Sequence, residues 1–151
     1  MPRRLSLALA CALACACAPA LIPGSHIPDT ADDRALLAVL RDYKNAFETK
    51  DAKAIVALAS PRYLDERQSI SYSTLENKLA SDFAHVKDVH LDVNVRSVEV
   101  HGNTAYVDYF YSEDFILNTV DATWHRTSDD KRMTLVREPR APHGWFVTSG
   151  F

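Results

Sequence analysis

The sequence predicts an α+β domain in which three N-terminal helices pack on one face of an antiparallel sheet. Two observations carry this. Apolar residues recur at helical spacing as far as about Val86, and after it the period changes to two. Short turn signals then separate the later apolar runs, which is the pattern of strands joined in sequence as a meander.

The first twenty residues precede that domain and read as a signal peptide. Arg3 and Arg4 give a positive start, Leu5 to Ala18 is almost wholly apolar, and Pro19 ends the run. About fourteen residues is too short to cross a bilayer of roughly 30 Å as a helix, but it is the length of a secretory apolar region. All three cysteines of the chain, Cys11, Cys15 and Cys17, lie in this segment. A disulfide framework or a cysteine-based zinc site in the body is thereby excluded. Each cysteine follows an alanine, and Ala12-Leu13-Ala14-Cys15 resembles a bacterial lipobox, so Cys15 and Cys17 are the lipidation candidates. The competing ending is cleavage after Ala18 or Ala20 to release a soluble exported protein. Either ending takes the protein out of the reducing cytoplasm, and it is expected in the cell envelope, facing the periplasm and, when lipidated, anchored at the outer membrane. Residues 21–31, rich in Pro, Gly, Ser and His, are expected to be a flexible tether.

The domain is expected over residues 32–151. Leu36, Leu40, Tyr43 and Phe47 follow one another at steps of four, three and four, with charged residues on the other sides, which predicts a first amphipathic helix. Asp51 is placed to cap a second helix from Ala52 to about Ala59, which Ser60-Pro61 stops. Ser73-Thr74-Leu75-Glu76 has capping-box spacing and predicts a third helix from Ser73, with Leu75, Leu79 and Phe83 on one face.

Val89, Leu91, Val93 and Val95 then alternate with polar residues, and the apolar parity slips to Val98 and Val100. A β-bulge near Arg96-Ser97 keeps both sets on one face. His101-Gly102-Asn103 predicts a turn into a strand from Thr104 to about Phe115, with Ala105, Val107, Tyr109 and Tyr111 facing one way. Further strands are expected over Val120–Arg126, Arg132–Glu138 and Trp145–Phe151, separated by turns at Ser128-Asp129-Asp130 and at Pro139 to Gly144.

Composition limits the function. Seventeen Lys and Arg against twenty Asp and Glu give a net charge of −3, and loss of Arg3 and Arg4 with a leader makes the body more acidic still. Nucleic acid is therefore not an expected partner, because its binding rests on a basic patch. His90 and Asp92 lie two apart on a strand and have no third ligand in the pattern. Four glycines leave no phosphate-cradling loop, and there is no Gly-x-Ser-x-Gly elbow. No cofactor and no metal site are expected.

Leu36 to Leu64, LLAVLRDYKNAFETKDAKAIVALASPRYL, resembles the opening of the nuclear transport factor 2-like (NTF2-like) superfamily, which includes the ketosteroid isomerases and the SnoaL-like cyclases. Met133 to Glu138 and the following Gly144-Trp145-Phe146-Val147-Thr148-Ser149-Gly150 resemble its last two strands. The resemblance implies a cone: a curved antiparallel sheet wrapped on three helices and open at one end into an apolar pocket. It sets Tyr43 at the position of the isomerases' oxyanion-donating helix-1 tyrosine. Their catalytic base falls at Arg67, with Asp65 and Glu66 just before it, and their second donor near Thr134 or Leu135. A guanidinium stays protonated and cannot serve as a base at neutral pH, so catalysis is not the favoured expectation and no catalytic residue is assigned.

The pocket candidates are Tyr43, Tyr63, Asp65, Tyr109, Tyr111, Trp124 and Arg137. Tyr43 on the buried helix stripe reads first as core with a satisfied hydroxyl. Arg137, a charge on a semi-buried face, needs a partner carboxylate or an anionic ligand. The functions in view are binding of a small apolar molecule, general acid/base catalysis in the cone by Asp65, Glu66 or another acid, and assembly with an envelope protein. The sheet also offers a face for a homodimer.

Overall fold

A computed structural model describes residues 20–151. The leader and its lipidation candidates Cys15 and Cys17 lie outside the described residues. Within 21–31, Leu21 bridges Pro28, the Ile22 N–H donates to the Ile27 carbonyl at 2.9 Å, and Ile27 is buried. Of the three large aliphatic residues in this stretch, Leu21, Ile22 and Ile27, the last is thus held out of water.

Helix α1 (Ala31–Glu48) starts at Thr30, whose hydroxyl accepts from the Asp33 N–H at 3.1 Å. This satisfies one of the amides that a helix start leaves without a partner. Its buried stripe is Leu36, Val39, Leu40, Tyr43 and Ala46. After a left-handed Lys50, Asp51 caps α2 (Ala52–Leu58) by accepting from the Ala54 N–H at 2.9 Å. A two-residue pair, β1 (Leu64–Asp65) and β2 (Ile70–Ser71), follows and leads into α3 (Tyr72–Ala84). The third helix therefore begins one residue earlier than expected, and its box is Ser71/Thr74 rather than Ser73/Glu76. Pairing with Leu64 holds Ser71 extended, so the helix can begin as soon as that bridge ends.

The main sheet is antiparallel in the order β3 (Val86–His101), β4 (Thr104–Leu117), β5 (Trp124–Arg137) and β6 (Trp145–Ser149). The register of β3 on β4 shifts between Val95 and Ser97, which leaves Arg96 as the extra residue of a bulge and brings Val98 and Val100 back to the inner face. Gly102, at φ +61°, makes the turn that follows.

One expectation fails here. The two strands proposed around Ser128-Asp129-Asp130 are a single strand, with those three residues opposite Ser112, Tyr111 and Phe110 of β4. Of these three turn-forming side chains, Asp130 takes a partner across the sheet, pairing with Arg96 at 2.9 Å. The strand also begins at Trp124, because Val120 lies fully exposed in the connection.

The helices cover the inner face of the sheet. Ala105, Val107, Met133, Leu135 and Val147 are sealed there against Leu36, Val39 and Ile55. α1 is tied to β3 where the Glu48 carboxylate accepts the Leu91 N–H at 2.9 Å and pairs with Lys44 at 2.6 Å. β6 pairs with β5 only over Thr134–Arg137. The other half of β5 has β4 alone beside it, and there the cone stands open.

Candidate functional site

The inner face of β4 places Tyr109, Tyr111, Glu113 and Phe115 in a row at alternate positions, and β5 sets Lys131 directly opposite Tyr109. Around this row the helices and the β1–β2 hairpin enclose a cavity of about 530 Å³. That is within the usual size range for a site holding a small organic molecule. Its floor is aromatic: Phe151 stacks between Tyr43, at 5.1 Å between ring centres, and Tyr63, at 5.3 Å. Phe47 and Phe83 meet edge to face at 5.3 Å on the helix side, and Leu75, Leu79 and Leu91 complete an apolar wall.

Five of the seven expected pocket residues meet here: Tyr43, Tyr63, Asp65, Tyr109 and Tyr111. The other two do not. Trp124 is outward-facing and more than half exposed, because the unbroken strand fixes even-numbered residues of β5 to the outer side. Arg137 has inward parity but lies at the closed end of the cone. There its guanidinium pairs with Asp32 at 2.6 Å and sits over the Trp145 ring at 4.4 Å, so the charge has a structural partner. Glu66 and Arg67 line a neighbouring groove instead of the cavity, Thr134 lines that groove too, and Leu135 is fully buried core. His90 and Asp92 point outward, with His90 Nδ1 2.7 Å from the Glu48 carboxylate.

The polar groups in the cavity differ in how they are satisfied. Tyr109 donates its hydroxyl to the Gly150 carbonyl at 3.1 Å. The Tyr63 phenol is pushed up to about 12, chiefly by burial and against the pull of the Phe151 backbone amide. Tyr43 is buried, yet its hydroxyl has no hydrogen-bond partner among the described residues and opens on the cavity. Burial, reinforced by the charges of Tyr109 and Glu113, holds that phenol well above its ordinary range. It is a neutral hydrogen-bond donor.

Of the cavity's ionisable residues not expected from the sequence, Lys78 and Asp82 pair with each other on α3, while Glu113 and Lys131 stand on the sheet. Burial raises the Glu113 carboxyl above the ordinary carboxylate range, partly offset by Lys131 and reinforced by Asp82, and no protein group hydrogen-bonds to it among the described residues. Burial lowers the Lys131 ammonium, while Asp65, Glu113 and Asp129 pull the other way. The signal for both was simple parity: Glu113 continues Ala105, Val107, Tyr109 and Tyr111, and Lys131 continues Leu135 and Met133.

The fold and cavity can be set beside known proteins. No family model matches the sequence, and no curated protein matches it. Solved structures do match. A conserved protein from Planctomyces limnophilus superposes with a TM-score of 0.69 at 10% identity, over 80% of this chain and 93% of that one. A protein of the nuclear transport factor 2-like superfamily from Salmonella enterica serovar Typhimurium matches with a TM-score of 0.66 at 14% identity, over 78% and 86%.

The fold is NTF2-like.

A ketosteroid isomerase-like protein from Erwinia carotovora atroseptica is also similar, with a TM-score of 0.63 at 14% identity over 78% of this chain and 91% of that one. At such identities the likeness establishes architecture, so what this NTF2-like cone does has to be argued from its own side chains.

Proposed function

We propose that this NTF2-like domain holds a small, largely apolar molecule in its cone. The observation that carries the reading is the pairing of an aromatic and aliphatic cavity with two polar groups left for a ligand, the Tyr43 hydroxyl and the Glu113 carboxyl. Apolar walls supply affinity by removing ligand surface from water, and a few unpartnered polar groups fix its orientation. The ligand class is a ring-bearing compound with one oxygen able to accept a hydrogen bond from Tyr43.

Binding of the apolar dye Nile red tests this. Leu79→Trp, which fills the cavity from α3, should weaken binding by roughly tenfold or more, about 1.4 kcal/mol. Equal affinity in both proteins would place the dye elsewhere and remove the support. Solvent extraction of freshly purified protein followed by mass spectrometry should then identify the natural occupant.

A second reading has one observation in its favour. A carboxyl with raised proton affinity beside a neutral phenol is suited to general acid/base work on a carbonyl compound, and Glu113 and Tyr43 are such a pair. Exchange of α-protons of a cyclic ketone for deuterium, followed by NMR, should then be accelerated by the protein and not by its Glu113→Gln variant. Acceleration that survives the substitution would leave Glu113 without a catalytic role.

The site of action is also a proposal: export, with an acyl anchor on Cys15 or Cys17 at the outer membrane. Cells fed radiolabelled palmitate should label the wild type and not the Cys15→Ser/Cys17→Ser double variant.

A further inference from the structure

We propose that Lys131 captures aldehyde or ketone ligands covalently as an imine within the cavity, an inference that rests on the cavity being a ligand site. A lysine at a strand position of inward parity ordinarily extends its stem to bring the ammonium out to water. Lys131 does not. Its Nζ donates to the Phe151 main-chain oxygen at 2.7 Å and lies 5.0 Å from the centre of the Tyr111 ring, which holds the amine at the cavity wall. No Asp or Glu carboxylate forms an ion pair with it among the described residues. The charged groups facing it are Asp65 from β1, Glu113 from β4 and Asp129 on its own strand. Their pull toward the ammonium is outweighed by burial, so the neutral amine is more accessible than at a solvent-exposed lysine.

Imine formation needs a neutral amine and an acid, and burial shifts Lys131 toward the first and Glu113 toward the second. The Nζ lone pair adds to the carbonyl carbon, and the carbonyl oxygen takes the proton of the Glu113 carboxyl. The nitrogen returns a proton to Glu113. That carboxyl then protonates the new hydroxyl, which leaves as water as the C=N bond forms. Loss of the second nitrogen proton restores Glu113. Both hydrogens of the water come from the amine, and no oxidant or reductant takes part. The apolar wall opposes hydrolysis of the product by limiting water at the imine carbon.

The test is trapping. Full-length protein is incubated near neutral pH with para-phenylbenzaldehyde and sodium cyanoborohydride, and the reduced adduct is mapped by peptide mass spectrometry. Lys131 should be labelled roughly tenfold faster than the exposed Lys53 in the same sample, since a bound aldehyde is held beside it. Glu113→Gln should slow the Lys131 adduct and leave Lys53 unchanged. The matched alcohol, para-phenylbenzyl alcohol, reports binding without chemistry. If the alcohol binds and Lys131 is labelled no faster than Lys53, the imine is overturned while the ligand site stands. If neither compound binds, the ligand reading fails and the imine with it. Because the two lysines are compared within one wild-type sample, the result does not depend on a variant folding.

Discussion

The same three strands make two different interiors. In the half of the sheet where β6 completes it, the inner face is Ala105, Val107, Met133, Leu135 and Val147, all sealed from solvent against α1 and α2. In the half where β6 has ended, the same parity carries Tyr109, Tyr111, Glu113 and Lys131, and these line an open cavity. The β4–β5 pairing runs through both halves without a register shift. What changes is coverage: beside β6 the sheet packs closely against α1 and α2, and where β6 has ended the helices and the β1–β2 hairpin stand off from it and leave a cavity.

This comparison can be broken by substitution. Trp145→Ala in the closed half should cost about 3–5 kcal/mol in urea denaturation, the range for removing a large aromatic side chain from a core. A loss as small as that of a surface change would mean that the closed half is not the stabilising one. Tyr109→Phe, at the boundary, deletes the hydrogen bond to Gly150 and should cost about 1 kcal/mol. In the open half, Glu113→Gln should raise stability at neutral pH. The folded state holds this carboxyl above its ordinary range, so the folded protein binds the proton more tightly than the unfolded chain does. The associated stability is fully present below the unfolded pKa and is lost as pH rises through the folded one. The wild type should therefore lose more stability than Glu113→Gln as the pH rises above the ordinary carboxylate range. The smallest effect is expected on the outer face: Arg126→Ala breaks an exposed pair with Asp114 and should leave the denaturation midpoint unchanged.

The sequence was most readable where one face is dry. The stripe Leu36, Leu40, Tyr43 and the alternation from Val89 to Val95 are enforced by burial, and the slip to Val98 located the bulge. Legibility failed where both faces of a strand meet water. Ser128, Asp129 and Asp130 carry the composition of a turn, and what keeps them extended is the facing strand β4, which local composition does not record. That break in the reading also hid Lys131, and Glu113, inside the expected strand, was missed because the inward row was followed only as far as Tyr111. Trp124 and Arg137 were placed by parity on two separate short strands; a continuous β5 turns the first outward and takes the second to Asp32.

The bulge at Arg96 sets how this chain tolerates a change of length. Because β3 crosses it with one residue to spare, deleting Arg96 would remove the bulge and leave Val95, Ser97, Val98, Glu99 and Val100 in simple alternation, with Val98 and Val100 still inward. Residues added in pairs beyond the bulge would preserve the sides, while a single added residue would exchange them. Variation in length is better absorbed in the connection around Val120, whose side chain touches nothing that a shift would disturb.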